Sequence, residues 1–234
     1  MDQSDFPRGS EQAPPGARRD APAGMFSGVV LSGGASRRMG RDKASLQLGG
    51  MTLLELQVEK LRELGIRDIL LSGARCPRLP GTRVIPDILP GRGPLGGIYA
   101  CLLAARCPAC LVVSVDVPLV PPAALKGLRG AYRGGVCALR HRGEEEPLIA
   151  VYERGLAEAI LPLIARGGAP VRALRERVPW TFWDYTGPEE LLYNCNTPGE
   201  FAAVSDAAVR WGLPLRGGGV PASSVCSLEV RSLC

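Results

Sequence analysis

The sequence predicts a three-layer α/β domain, with helices on both faces of a mostly parallel sheet. Three observations lead there. Short runs rich in Val, Ile and Leu alternate with segments whose apolar residues recur at helical spacing. The strand-like runs are apolar throughout, as strands covered on both faces are. The chain's 234 residues, 46% hydrophobic and 22% charged, suit one domain that buries its own core.

Taken in order, residues 1–24 mix Pro, Gly, Ala, Arg and Asp without apolar periodicity and read as a disordered leader. Met25, directly before the first strand, is a candidate translation start. The run Phe26–Leu31 reads as a buried strand centred on Val29–Ser32. Thr52–Leu64 carries leucines and a valine at helical spacing, a capping-box pair in Thr52 and Glu55, and Gly65 as a stop. Asp68–Ser72 and Thr82–Ile85 are the next strands. The helices Pro94–Arg106 and Pro121–Arg129 each open at a proline suited to a first turn, and the strand Leu111–Val115 lies between them. Strands are then expected over Gly135–Arg140, Pro147–Tyr152 and Trp180–Tyr185. Helices are expected over Gly155–Ala165, kinked at Pro162, and over Val171–Val178 and Gly199–Trp211. Trp180 and Trp183 read as core, and Glu144-Glu-Glu146 reads as a solvated charge run. Beyond residue 213 periodicity ends, so the domain is placed at 25–213 and an irregular tail at 214–234.

Composition narrows the function. A net charge of +5 suits anionic ligands without locating the charge. No apolar run approaches the roughly 20 residues of a membrane span, and the N-terminus lacks the order of a secretory signal. Neither a membrane nor a nucleic acid is an expected partner. Eight cysteines in such a chain point to reduced thiols and a cytoplasmic location. Cys107-Pro-Ala-Cys110 invites a zinc reading, but zinc takes about four ligands and His141 has no partner at ligand spacing. The pair reads as two small apolar residues at a helix-to-strand junction.

The segment Leu31-Ser-Gly-Gly-Ala-Ser-Arg-Arg-Met-Gly-Arg-Asp-Lys43 carries the most chemistry. A glycine-rich loop between strand and helix offers backbone N–H groups to phosphate oxygens, and Gly33 and Gly34 let a phosphate approach closely. Arg37, Arg38, Arg41 and Lys43 add positive charge. A Walker loop is excluded because Gly40 is followed by Arg41 and Asp42. Gly91-Arg-Gly-Pro-Leu-Gly96 spells a dinucleotide fingerprint, but it lies deep in the domain among prolines, away from the first strand. Ligands of α/β sheets gather at the carboxyl ends of strands, so Leu31–Lys43, Asp87 and Asp116 should converge on one crevice. Lys43, assisted by Arg38, would stabilise charge on departing phosphates. Asp116 suits Mg²⁺, which takes one or two carboxylates together with phosphate oxygens; a cap on the following helix is the competing role.

This segment resembles the nucleotidyltransferase signature L-x-G-G-x-S-x-R-M-G-x-D-K, and it is most similar to the molybdenum cofactor guanylyltransferase family. Gly93-Pro-Leu-Gly-Gly-Ile98, Val115-Asp-Val-Pro118, Glu146-Pro-Leu-Ile-Ala-Val-Tyr152 and Asn194-Cys-Asn-Thr-Pro198 match later segments in order, over residues 26–211. The resemblance implies a Rossmann-like nucleotidyltransferase fold. It also implies Mg²⁺-dependent transfer of GMP from GTP to molybdopterin-bound molybdenum cofactor, with release of pyrophosphate. Leu31, Ser32, Gly33, Gly34, Lys43, Asp87 and Asp116 would then bind the nucleotide, with Lys43, Asp116 and Arg38 catalytic and Asp116 holding the metal. Asn194 and Asn196 would face the pterin acceptor; a turn and helix cap at Thr197 is the equal alternative. Cofactor-synthesis proteins and recipient molybdoenzymes are the implied protein partners.

Base choice is marked at two places. Gly33-Gly34 matches the guanylyl branch, where related cytidylyltransferases show Ala-Ala-Gly. The loop Ser72-Gly-Ala-Arg75 would touch the base, and Ala74 stands where some family members carry Asn. Cytidylyl transfer to the same acceptor and nucleotidyl transfer to a sugar phosphate are the enzymatic alternatives. A non-catalytic pterin carrier is a third, and it would need neither Lys43 nor Asp116.

Overall fold

The computed structural model describes residues 25–32, 43–74, 76–165 and 167–213. The expected leader and tail lie outside these residues. β1 (Phe26–Leu31) is followed by a small hairpin, β2 (Gln47–Leu48) and β3 (Met51–Thr52), then by α1 (Leu53–Glu63). The hairpin turns on Gly49 and Gly50, both at positive φ (60° and 79°), as a two-residue turn favours. Next come β4 (Ile69–Ser72), β5 (Thr82–Ile85), α2 (Gly93–Ala104), β6 (Ala109–Ser114) and α3 (Pro122–Ala131). The second half holds β7 (Val136–His141), β8 (Glu144–Glu153), α4 (Ala157–Ala165), β9 (Trp180–Asp184) and α5 (Pro198–Arg210).

Seven strands form one sheet in the order β5-β4-β1-β6-β8-β7-β9. Only β8 runs against its neighbours, antiparallel to both β6 and β7. Side chains of each strand alternate between two cores. Val30, Leu71, Leu111 and Val113 pack with α1, α3 and α5, whereas Val29, Leu70, Cys110 and Val112 pack with α2 and α4. Every residue of β1, β4 and β6 is buried, which explains the continuous apolar runs in the sequence.

The helix ends are local constructions. Thr52 accepts from the Glu55 N–H at 3.1 Å while the Glu55 carboxylate accepts from the Thr52 N–H at 2.8 Å, a complete capping box. At the other end of α1, Gly65 (φ 75°) donates to Arg62 O and Ile66 donates to Leu61 O, the paired bonds of a Schellman stop. Thr197 and Glu200 build a second capping box on α5.

Three expectations need correction. Val171–Val178 is not an α-helix; a 3-10 segment covers Val171–Glu176, squeezed between Pro170 and Pro179. Glu144-Glu-Glu146 is not a solvated run but the start of β8. There Glu145 accepts from Arg175 at 2.7 Å, and burial raises the Glu146 carboxyl above its ordinary range. Trp180 and Trp183 are only half-buried and project to opposite faces of β9, Trp180 toward the α2–α4 core and Trp183 toward the other. Pro162 does fall inside α4, where it cannot supply the bond to the Glu158 carbonyl. Cys110 is buried within β6 and Cys107 stands just before it, as small apolar residues at a junction do.

The edge of the sheet where β1 and β4 begin is closed by one carboxylate. Asp68 accepts from Ser27 Oγ at 2.6 Å, from Arg106 N at 3.0 Å and from Arg83 Nη2 at 2.6 Å. Burial pushes its carboxyl up, but these hydrogen bonds outweigh burial and hold it below the ordinary 3.8. Its contribution is therefore present above that value and lost as pH falls through the lower, folded-state pKa. Asp68→Ala should lower stability by roughly 2–3 kcal/mol, read as a fall in urea midpoint, because three donors lose their acceptor. Turnover should not change.

Candidate active site

The chain leaves β1 for β4 on one side and returns to β6 on the other, so the order of parallel strands reverses around β1. At such a switch point the loops part and leave a crevice beyond the carboxyl ends. Leu31 is in register with Ser72 on β4 and with Ser114 on β6, and its carbonyl accepts from Val115 N at 3.1 Å. Ser32 donates to the Ser72 carbonyl at 2.5 Å. α2 starts over the same edge. A Cβ on Gly97 would lie 2.4 Å from Ser72 Oγ, so any side chain there would force that hydroxyl to move. No side chain caps the first turn of α2, which presents the positive end of its dipole here.

Asp116 lies two residues beyond β6. From Ala109 to Val120 it is the only residue that is not buried. Its N–H donates to Ser114 Oγ at 3.2 Å, and its carbonyl accepts from Cys195 N at 2.8 Å. The second bond brings the segment between the exposed Asn194 and the half-buried Asn196 against the Asp116 turn. Glu200 accepts from Asn196 N at 2.7 Å while it completes the Thr197 cap. The capping role of this segment and its place at the crevice therefore coexist. Asp116 does not cap α3, whose N-cap is Pro121 without a side-chain bond.

Beneath the Asp116 turn lie two residues that the sequence reading missed. Gln57, fully buried on α1, donates to Ser114 O at 2.7 Å and to Val117 O at 2.8 Å. Lys60, one turn on, donates to Pro118 O and to Gln57 Oε1, the latter at 3.4 Å. Lys60 is half-buried, and burial lowers its pKa to about 7 against a smaller opposing pull from Glu63. The signal was present: Gln57 falls on the Leu53, Val58, Leu61 stripe, where a polar residue needs partners.

Other expected residues reach the same edge. Asp87 follows β5 at the exposed rim, where partial burial raises its carboxyl. Burial, and next the charge of Asp87, push the nearby Cys101 thiol up to about 12. Lys43 opens a 3-10 turn, Lys43–Ser45, anchored by the buried Ala44. Gly33, Gly34 and Arg38 lie outside the described residues, as do Arg37, Arg41 and Arg75. Ala74 follows Gly73, whose N–H donates to Ile85 O at 2.9 Å. Farther along the edge, Glu146 is half-buried and His141 Nδ1 lies 2.9 Å from Tyr185 O. Among the described residues no three His, Cys, Asp or Glu side chains gather as a metal cage, and no helix is long and apolar enough to cross a membrane.

Comparison with known proteins matches this geometry. Residues 28–180 fit the MobA-like NTP transferase domain. A probable molybdenum cofactor guanylyltransferase of Opitutus terrae is 35% identical over 191 residues, covering 73% of this chain and 95% of that protein. The molybdenum cofactor guanylyltransferase of Xanthomonas euvesicatoria pv. vesicatoria is 34% identical, covering 76% of this chain and 94% of its own. Among solved structures, the molybdopterin-guanine dinucleotide biosynthesis protein A of Archaeoglobus fulgidus superposes with a TM-score of 0.64 at 23% identity. That match covers 80% of this chain and all of that one, and it establishes the likeness of fold.

Lys60 gives stability a measurable pH dependence. Folded, it releases its proton near 7; unfolded, near 10.5. Between those values the unfolded chain binds more protons, so stability should rise with pH across the window. Urea midpoints at pH 7 and 9.5 should show this rise, and Lys60→Met should remove most of it.

Proposed function

The chain belongs to the MobA-like NTP transferase family, and we propose that it transfers GMP from GTP to the molybdopterin-bound molybdenum cofactor. The observation that carries this reading is the Asp116 turn, held half-exposed at the switch point with Asn194–Asn196 docked against its backbone. The segment read as acceptor-binding thus docks on the backbone of the residue read as the metal ligand, which supports one shared site. The names of the relatives supply the base and the acceptor.

In this reaction a terminal phosphate oxygen of the pterin bonds to the α-phosphorus of GTP. The bond from that phosphorus to the bridging oxygen breaks in line, and pyrophosphate departs with the electron pair. No covalent enzyme intermediate is required, so the protein positions the two reactants and offsets charge. Gly33, Gly34 and the neighbouring N–H groups cradle phosphate, beside Leu31 and Ser32 at the end of β1. Lys43, with Arg38, stabilises charge on the leaving pyrophosphate. Asp87 contacts the nucleotide from the rim, and Asn194 and Asn196 offer uncharged hydrogen bonds to the acceptor. Asp116 would hold Mg²⁺, a hard ion suited to carboxylate and phosphate oxygens that when bound would neutralise phosphate charge; among the described residues no cluster of three potential ligands offers another site. Delivery of the product to recipient molybdoenzymes and a cytoplasmic setting belong to the same reading. The latter is supported by six described cysteines that are thiols and not disulfides.

Asp116→Asn should reduce pyrophosphate release by at least about 100-fold with the thermal transition retained; retained activity would remove Asp116 from the site. Lys43→Ala should weaken GTP binding about tenfold by calorimetry, the size of one charged hydrogen bond. Turnover with GTP, CTP and ATP, each with the pterin acceptor, decides the base, and a preference for CTP would overturn the guanylyl assignment.

A further inference from the structure

We propose that Gln57 and Lys60 are positioning residues for the metal-binding carboxylate, and that α1 is a strut fixing Asp116 relative to the Lys43–Ser45 turn. The proposal rests on the reading of Asp116 as the metal ligand.

The turn has few strong bonds of its own. Its backbone–backbone bonds are long, 3.4 Å from Val117 N to Ser114 O and 3.5 Å from Val120 N to Val117 O, Pro118 has no N–H to give, and Asp116 N donates to Ser114 Oγ at 3.2 Å. α1 supplies what is missing. Gln57 spends both amide hydrogens on the carbonyls of Ser114 and Val117, which bracket Asp116, and Lys60 reaches the carbonyl of Pro118. Cys195 N takes the carbonyl of Asp116 itself. With the Cys195 thiol on the Val115 carbonyl at 3.9 Å, all five carbonyls from Ser114 to Pro118 acquire a donor from elsewhere in the chain, and the side chain of Asp116 has a fixed base.

The same helix holds the other partner of the reaction. Leu53, the first residue of α1, donates to Leu46 O at 2.9 Å, just after the Lys43–Ser45 turn. Gln57 is one helical turn away, about 6 Å along the axis. One turn of helix thus links the backbone just after Lys43–Ser45 to the Asp116 turn. Gln57 and Lys60 thus satisfy carbonyls that would otherwise lack donors and, through the same bonds, fix the base from which the Asp116 side chain projects.

The test is Mn²⁺ binding to the full chain with GTP present, followed by the electron paramagnetic resonance of free Mn²⁺. GTP binding without metal and thermal unfolding are measured on the same variants. Gln57→Leu and Lys60→Met should each weaken Mn²⁺ binding about 10- to 100-fold, the usual effect of groups that orient a metal ligand, with metal-free GTP affinity unchanged. In turnover they should lower kcat more than they raise KM for GTP, and Lys60→Arg should restore most of the loss. If either folded variant binds Mn²⁺ within about twofold of the parent while Asp116→Asn does not, the positioning role is overturned and the assignment of Asp116 stands. If Asp116→Asn itself binds Mn²⁺ normally, the reading of the site falls and this proposal falls with it. Should Gln57→Leu fail to fold, Lys60→Met decides alone, because Lys60 is half-buried where Gln57 is fully buried.

Discussion

The parallel pairing of β1 with β4 on one side and β6 on the other is the constraint on which the rest of the structure depends. It sets Leu31 in one row with Ser72 and Ser114, and it makes the chain diverge at that row. β1 is pressed from both faces. A Cβ on Gly28 would lie 2.8 Å from Leu61 of α1, and one on Gly97 of α2 would strike Ser72. Small residues at these two contacts let the helices close on the central strands. Their ends are thereby held at fixed heights beside the crevice.

The polar groups at that edge follow from the same closure. Because β6 is buried on both faces, its carbonyls just beyond the last ladder bond must find donors inside the protein. Gln57 and Lys60 supply them from α1, and Cys195 supplies another from the segment before α5. Asp116 then emerges as the one half-exposed residue of an otherwise buried stretch. A half-exposed carboxylate at the carboxyl end of a central strand suits a ligand that carries both phosphate and a divalent ion.

The second half of the chain extends this edge without repeating its topology. β8 is reversed, and its pairing with β7 slips from Ala138 opposite Ala150 to Leu139 opposite Glu146. The slip passes over Pro147, which cannot donate to a ladder; its carbonyl is taken by the buried Tyr152 hydroxyl at 2.7 Å. The irregularity places Glu146 half-buried near the carboxyl ends of β7 and β9. The half of the sheet around β1 is therefore a regular parallel array, and the half around β8 is built by reversed and slipped pairings.

What the sequence determined by itself was whatever local forces decide. The Thr52–Glu55 and Thr197–Glu200 caps, the Gly65 stop and the prolines at the starts of α2 and α3 act within three or four residues, so their residue types are sufficient. Continuous apolar runs likewise announced strands buried on both faces, and motif order placed Leu31, Asp87, Asp116 and Asn194 along the chain. The tertiary structure alone decided the reversal of β8, the pairing of Glu145 with Arg175 and the shortening of Val171–Val178 to a 3-10 segment. It alone also decided why Gln57 and Lys60 are polar. Gln57 meets its partners 57 and 60 residues away, and Cys195 meets Asp116 only after the sheet has closed. No local pattern encodes such contacts, because each depends on which strand lies next to which.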